Sequence, residues 1–283
     1  MKTTILCAAI ALIYCSNVAN AEETSSPMAI SLLSGIEAYE DSPHSSLSKG
    51  VGISVIWDNL KYDQKYQVGE HYIRARGTYY YEQDSEKYDE DRYRDSMDGK
   101  LHYQYPFMSI NDNEDFTLSV FAHYEGHYNS QQLEEFEQLA ASGLAINNRF
   151  GDVNYYDLGL SLGLAYSEEE KDDDWPREEQ GISEDELNRS GLGYYLQWEN
   201  RYTFGHTGVQ LAFSYRRYDG LWKYDDNKSY TLNDVAFSVV IPLANQRNLL
   251  RFQTQYINRE SEQDLIGFED TLYRASVEYI HYF

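Results

Sequence analysis

The chain has 283 residues, with 23 Lys+Arg against 47 Asp+Glu and a formal net charge of −24. That acidic excess argues against nucleic acid, or the polyanionic face of a membrane, as a partner. No stretch after the first 20 residues approaches 18 consecutive apolar positions, which excludes a membrane-spanning helix there.

The first residues read MKTTILCAAIALIYCSNVANA: basic Lys2, an apolar run from Ile5 to Tyr14, and the small-x-small pattern Ala19-Asn20-Ala21. A secretory signal peptide is expected over residues 1–21, cleaved before Glu22, with 22–283 as a single domain. The apolar run is well short of the roughly 20 residues of a spanning anchor. Tyr14 is too large to precede a lipoprotein cysteine at Cys15. Cys7 and Cys15 both lie in this segment, so the exported chain has no cysteine, and without Lys2 its charge is 22 − 47 = −25. Such a chain draws its stability from packing or from a membrane rather than from disulfides.

Beyond residue 28 the sequence alternates with period two, the pattern of strands with one apolar face. Ile30, Leu32, Ile36 and Ala38 oppose Ser31, Gly35 and Glu37. Val51, Ile53, Val55 and Trp57 follow. Ile73, Ala75, Gly77, Tyr79 and Tyr81 then oppose Tyr72, Arg74, Arg76, Thr78 and Tyr80. Leu101, Tyr103, Tyr105 and Phe107 face away from Lys100, His102 and Gln104, and Phe116 to Tyr124 repeats the pattern against Thr117, Ser119, His123 and Glu125. The clearest case is YYDLGLSLGLAY, where Tyr156, Leu158, Leu160, Leu162, Leu164 and Tyr166 alternate with small or polar residues. Strands led by Leu192, Val209, Val235 and Leu250 come next, and YRASVEYIHYF (Tyr273–Phe283) ends the chain.

These are eleven strands, and a single-chain barrel with both ends on one side of the membrane needs an even number. Short links (Met108–Glu114, Phe204–Thr207, Pro242–Gln246) alternate with long acidic ones (Glu82–Asp95, Glu168–Ser190, Asp219–Ser229, Arg259–Gly267) except between Tyr128 and Asp152. A twelfth strand at Glu137–Ile146, turning at Asn147–Gly151, restores the alternation; a short loop helix is the other reading of QLEEFEQLAASGLA. A soluble sandwich fits less well, because strands of ten or more residues exceed the usual five or six and the opposite face is too polar for a dry core. The expected fold is all-β: a closed antiparallel up-and-down transmembrane barrel of about 12 strands, closed because lipid cannot satisfy an open edge.

The last strand, with Tyr279, His281 and Phe283 outward, resembles the terminal strand of Gram-negative outer-membrane proteins. His281 departs from their usual apolar choice. The resemblance implies residence in the outer membrane and contact with its lipid and lipopolysaccharide. It also implies the barrel-assembly machinery as a partner, with Tyr279 and Phe283 as the assembly signal. Size and strand count are also similar to the translocator barrels of autotransporters, including solitary versions without a passenger. Only Glu22–Met28 precede the first strand, so no passenger and no pore-threading helix are expected.

In this register the lumen holds Arg74, Arg76, Lys100, Arg201, Arg216, Arg251 and Arg274. With them are Glu37, Asp58, Glu125, Asp157, Glu199 and Glu278, the histidines His102 and His123, and Gln197, Gln210, Gln253 and Gln255. Buried charges must pair or stay hydrated. Two readings follow: an ion-pair and water network filling a structural, surface-contact barrel, or a narrow pore whose basic ladder passes small anionic solutes, similar in idea to twelve-stranded acidic-sugar porins. No enzyme is expected. GHYNS (Gly126–Ser130) does not reproduce the compact His-x-Ser arrangement of outer-membrane phospholipases, His127 reads as a loop-boundary residue, and no spacing ties His71, His123 or His127 to an acidic pair. No cofactor and no metal centre is expected, since loop 168–190, with eleven acidic residues, lacks a D-x-D-x-D-G calcium pattern. The first reading of that loop is a solvated segment kept extended by self-repulsion; the second is loose Ca²⁺ or Mg²⁺ binding that bridges these loops to lipopolysaccharide phosphates. Chelation then changes the loop's protease sensitivity in intact cells, and an unchanged digest rejects the idea.

Overall fold

The computed structural model describes residues 26–40, 47–60, 64–84, 93–111, 115–130, 134–171, 188–220, 230–243, 247–261 and 270–283. The expected signal segment 1–21 and most of the acidic loop 168–190 lie outside these residues.

Twelve strands follow one another in chain order: β1 (Met28–Glu40), β2 (Leu47–Asp58), β3 (Tyr72–Asp84), β4 (Tyr93–Ser109), β5 (Phe116–Ser130), β6 (Glu134–Phe150), β7 (Tyr155–Lys171), β8 (Asn188–Thr203), β9 (Gln210–Gly220), β10 (Tyr230–Pro242), β11 (Asn248–Ser261) and β12 (Asp270–Tyr282). Each is antiparallel to its sequence neighbours, and β1 pairs with β12 from Ala29↔Tyr282 to Glu40↔Thr271, which closes the barrel. Closure removes every free edge, so all ladder N–H and C=O groups have partners without water.

Side-chain parity decides what faces lipid. Leu32, Ile53, Leu101, Leu144, Leu162, Leu164, Phe237 and Val277 are exposed on the outer surface. Tyr156, Tyr202 and Tyr279 lie toward the end that holds both termini, and Tyr79, Tyr81, Tyr166 and Tyr273 toward the opposite, loop-bearing end. Several of these phenols keep a polar partner, as Tyr279 does when it donates to Asn248 Oδ1 (2.6 Å). An apolar band between aromatic girdles around a closed antiparallel sheet is the build of an outer-membrane β-barrel.

Three expected boundaries move. β6 spans Glu134–Phe150, not 137–146, and it is a strand, not a loop helix; its turn is Gly151–Asn154 rather than Asn147–Gly151. Gly151, at φ +88°, supplies the left-handed residue that turn requires. The strands also run further into the acidic links, β7 to Lys171 and β8 from Asn188, because each pair keeps its ladder beyond the apolar band. His127 is not at a loop boundary: it lies within β5, paired with Asp98 of β4.

Inside, the two ends differ. On the β5–β10 side Phe121, Leu139, Ala141, Ala145, Ala165, Tyr195, Tyr218 and Leu232 form one buried apolar cluster. On the other side the Tyr80 ring lies flat on Gly50 and Gly52, its hydroxyl donating to Gly35 O (3.2 Å). A Cβ at Gly50 would stand 2.6 Å from that ring, so glycine there is a packing requirement. Near the terminal end Ala29, Ile56, Val240, Leu249 and Ile280 make a smaller cluster.

Candidate functional site

At the level of the apolar band the inward face of the strands carries the charge, since the outer face there meets lipid. At its centre Arg74 of β3 donates through Nη2 to Glu199 Oε2 of β8 (3.2 Å). These strands are five apart in a ring of twelve, so the pair spans nearly the full lumen. Glu199 is held from its own side by a chain in which Tyr195 donates to Gln197 Oε1 and Gln197 Nε2 donates to Glu199 Oε1, each at 2.8 Å.

A second set forms around Glu278 of β12. Arg76 donates to both of its oxygens, Nη2 to Oε1 (2.7 Å) and Nη1 to Oε2 (3.3 Å), while Arg251 Nη1 reaches Oε2 (3.2 Å) and Ser31 also donates. Arg76 further donates to Ser54 Oγ (3.0 Å) and Thr78 Oγ1 (3.1 Å). Two guanidiniums therefore share one carboxylate.

Toward the loop end, Glu125 takes Lys100 Nζ (3.1 Å) and Arg216, and Arg216 Nη2 also reaches Asp234 Oδ2 (2.9 Å), while Asp234 Oδ1 accepts from Gln255 Nε2. His123 Nε2 stands 3.1 Å from Glu125 Oε1, and its Nδ1 is 3.4 Å from His102 Nδ1. Arg274 pairs with Glu37, and His127 Nδ1 with Asp98 Oδ1 (2.6 Å). Toward the terminal end, Asp157 is clamped by Arg149 Nε (2.6 Å) and Arg201 Nη2 (2.8 Å).

All seven sequence-expected cations thus project inward beside a carboxylate. Gln210 lines the terminal end of the lumen, donating to Thr203 Oγ1 (3.2 Å), and His71 sits outside the lumen against Tyr103. Arg149, Asp98, Asp234, Lys65 and Tyr66 belong to the constellation without having been singled out. Arg149 falls within the expected turn Asn147–Gly151, although Asn147 and Arg149 continue β6's inward parity. Lys65 and Tyr66 lie on the link 59–71, where no alternation exists to place them.

That link crosses the terminal mouth. Asn59 pins its base, donating to His71 O (2.8 Å) and accepting from Ile73 N (2.7 Å). Gly69 N donates to Pro106 O (2.9 Å) at the β4 bulge, Lys65 pairs with Asp115 (2.7 Å), and Arg149 Nη2 donates to Gln64 O (2.9 Å). Tyr66 meets Tyr72 edge-on, and burial pushes its hydroxyl up to about 12.

Among the described residues the lumen holds a larger and a smaller cavity. The larger, about 1050 Å³, opens at the terminal end between Lys65, Tyr66, Arg149, Arg201 and Arg251. The smaller, about 260 Å³, lies deeper, among Lys100, His102, His123, Glu125 and Arg216. Asp58, Arg74, Glu199, Ser214 and Arg251 border both, so the Arg74–Glu199 bridge lies where the two cavities adjoin.

No protein-family model matches the chain, and no curated protein matches it in sequence. Among solved structures, it is similar in shape to an outer membrane channel from Pseudomonas putida F1, with TM-score 0.48 and 11% identity over 94% of this chain and 100% of that one. It is also similar to the translocator domain of autotransporter NalP from Neisseria meningitidis, with TM-score 0.47 and 10% identity over 100% and 96% of the two chains. A third likeness is to the NanC porin, with TM-score 0.43 and 10% identity over 89% and 99%. Likenesses at this level concern the barrel shape and bring no ligand or partner to this chain.

Proposed function

We propose that the protein is a non-catalytic outer-membrane barrel whose lumen is sealed, and that it serves as a scaffold displaying acidic loops at the cell surface. The carrying observation is the Arg74–Glu199 bridge between nearly opposite walls. The filled loop-end half supports it, with Tyr195 and Tyr218 1% and 2% exposed where a pore lining would be wet. In this reading residues 1–21 direct export and are removed, both termini lie in the periplasm, and the long acidic links face outward, where they carry divalent cations against lipopolysaccharide.

A narrow channel for small anionic solutes is the second reading, favoured by the 1050 Å³ cavity and its basic lining. Planar-bilayer recording separates the two. The purified exported chain is expected to give no conductance steps above the bare lipid. Regular steps would reject the sealed barrel in favour of the channel.

A further inference from the structure

We infer that the large terminal-end cavity is a dead-end binding site for a soluble small-molecule oxyanion, a carboxylate or phosphate, entering from the periplasm. Its sidedness rests on the orientation proposed above; the chemistry does not.

Space comes first. The wall made by β9 and β10 lines the cavity largely with small inward residues, Ala212, Ser214, Ala236 and Ser238, beside Gln210 and Val240, and the room they leave is of the size that holds a small organic molecule. In the sealed reading proposed above, the Arg74–Glu199 bridge is its inner limit, and a solute that enters goes no further. The closed sheet stands between the cavity and lipid, which makes the ligand a solute rather than a headgroup.

Charge comes second. The lining carries Lys65, Arg74, Arg149, Arg201, Arg247 and Arg251 against Asp58, Asp115, Asp157 and Glu199, six against four, a local +2 within a chain of −24. The surplus arises because carboxylates are shared. Asp157 serves both Arg149 and Arg201, and Glu278, just beyond the lining, serves both Arg76 and Arg251. A guanidinium has five N–H donors in a fixed fork; Arg251 gives Nη1 to Glu278, and Arg201 gives Nε and Nη2 to Asp157. Half-buried donors beyond these must meet water or an anion, and a planar fork suits a carboxylate or phosphate. Lys65 adds a further cation at the mouth from the link 59–71, itself held by Asp115.

The test is isothermal titration calorimetry on the refolded exported chain in non-ionic detergent at low salt, with citrate and inorganic phosphate as separate probes. Saturable one-to-one binding of either probe is expected, weakened by added sodium chloride. Arg251→Gln is expected to lower the affinity about tenfold or more. Because Arg251 also supports Glu278, Arg247→Gln in the β10–β11 turn provides a milder variant with the same expected direction. Arg217→Gln, on the outer surface beside Asp219, serves as the control that leaves affinity unchanged. No saturable heat with either probe, or binding undiminished in both Arg247→Gln and Arg251→Gln, overturns the proposal. Conductance is not the readout here, so a silent bilayer with no binding removes this site and leaves the sealed scaffold standing.

Discussion

Glu278 shows at residue scale how this lumen is stabilised. Its side chain is 5% exposed and accepts from Arg76, Arg251 and Ser31, so two cations depend on one anion. Breaking a buried ion pair costs far more than forming one gains, because an uncompensated charge is left behind. Glu278→Gln is therefore expected to destabilise the barrel by about 3 kcal/mol or more, read from denaturant unfolding in lipid vesicles. Asp219→Asn, which removes the partner of Arg217 in a pair whose side chains are 41% and 43% exposed, is expected to stay within about 1 kcal/mol. Equal effects would show that water, not the lumen network, sets the energies. The glycines under Tyr80 are a second residue-scale device. Gly50 and Gly52 flatten the wall so that a large ring can fill the lumen without straining the sheet.

The element that stands out is the link 59–71. Among the described residues, the turns 151–154 and 204–209 at the same end only reverse the chain. This one reaches from β2 to the β4–β5 turn and to β6. Its tethers are partly exposed polar contacts, individually worth little, so it is removable without cost to the ladder. Replacing 61–68 with a short glycine turn is expected to leave the thermal midpoint within a few degrees while exposing the cavity. A cysteine at Ser238, the sole thiol in the exported chain, should then react faster with a water-soluble maleimide. An unchanged rate would mean that the link does not restrict the mouth. β6 shows how an element can be legible in kind and wrong in extent. Its alternation is audible at Leu144 and Ile146, but Asn147 and Asn148 read as turn residues in isolation. Pairing with β5 (Asn147↔Thr117) and β7 (Asn148↔Leu158) holds them in the sheet.

At the scale of the whole molecule, closure is the decisive event. β12 completes the barrel only by pairing with β1, and the last backbone bonds tie Phe283 to Met28 O (3.1 Å) and Ser26 N (2.7 Å). The outward Phe283, 49% exposed, contributes little packing within the barrel. Its removal is expected to lower the assembled amount in cells severalfold while leaving refolding into detergent nearly unchanged, as followed by heat-dependent gel migration. Equal losses in both settings would make Phe283 a structural residue rather than an assembly signal.

The sequence by itself determined the face of nearly every strand. A period of two leaves one side for lipid and the other for charge, and no tertiary contact reverses that choice. It determined in the same way that Arg74 and Glu199 project inward. Only the tertiary structure decided that they meet, because contact across a lumen depends on strand order, stagger and closure, which no local alternation encodes. The same holds for Lys65 and Tyr66: on a link without periodicity, position is set by whatever polar partners the assembled mouth presents.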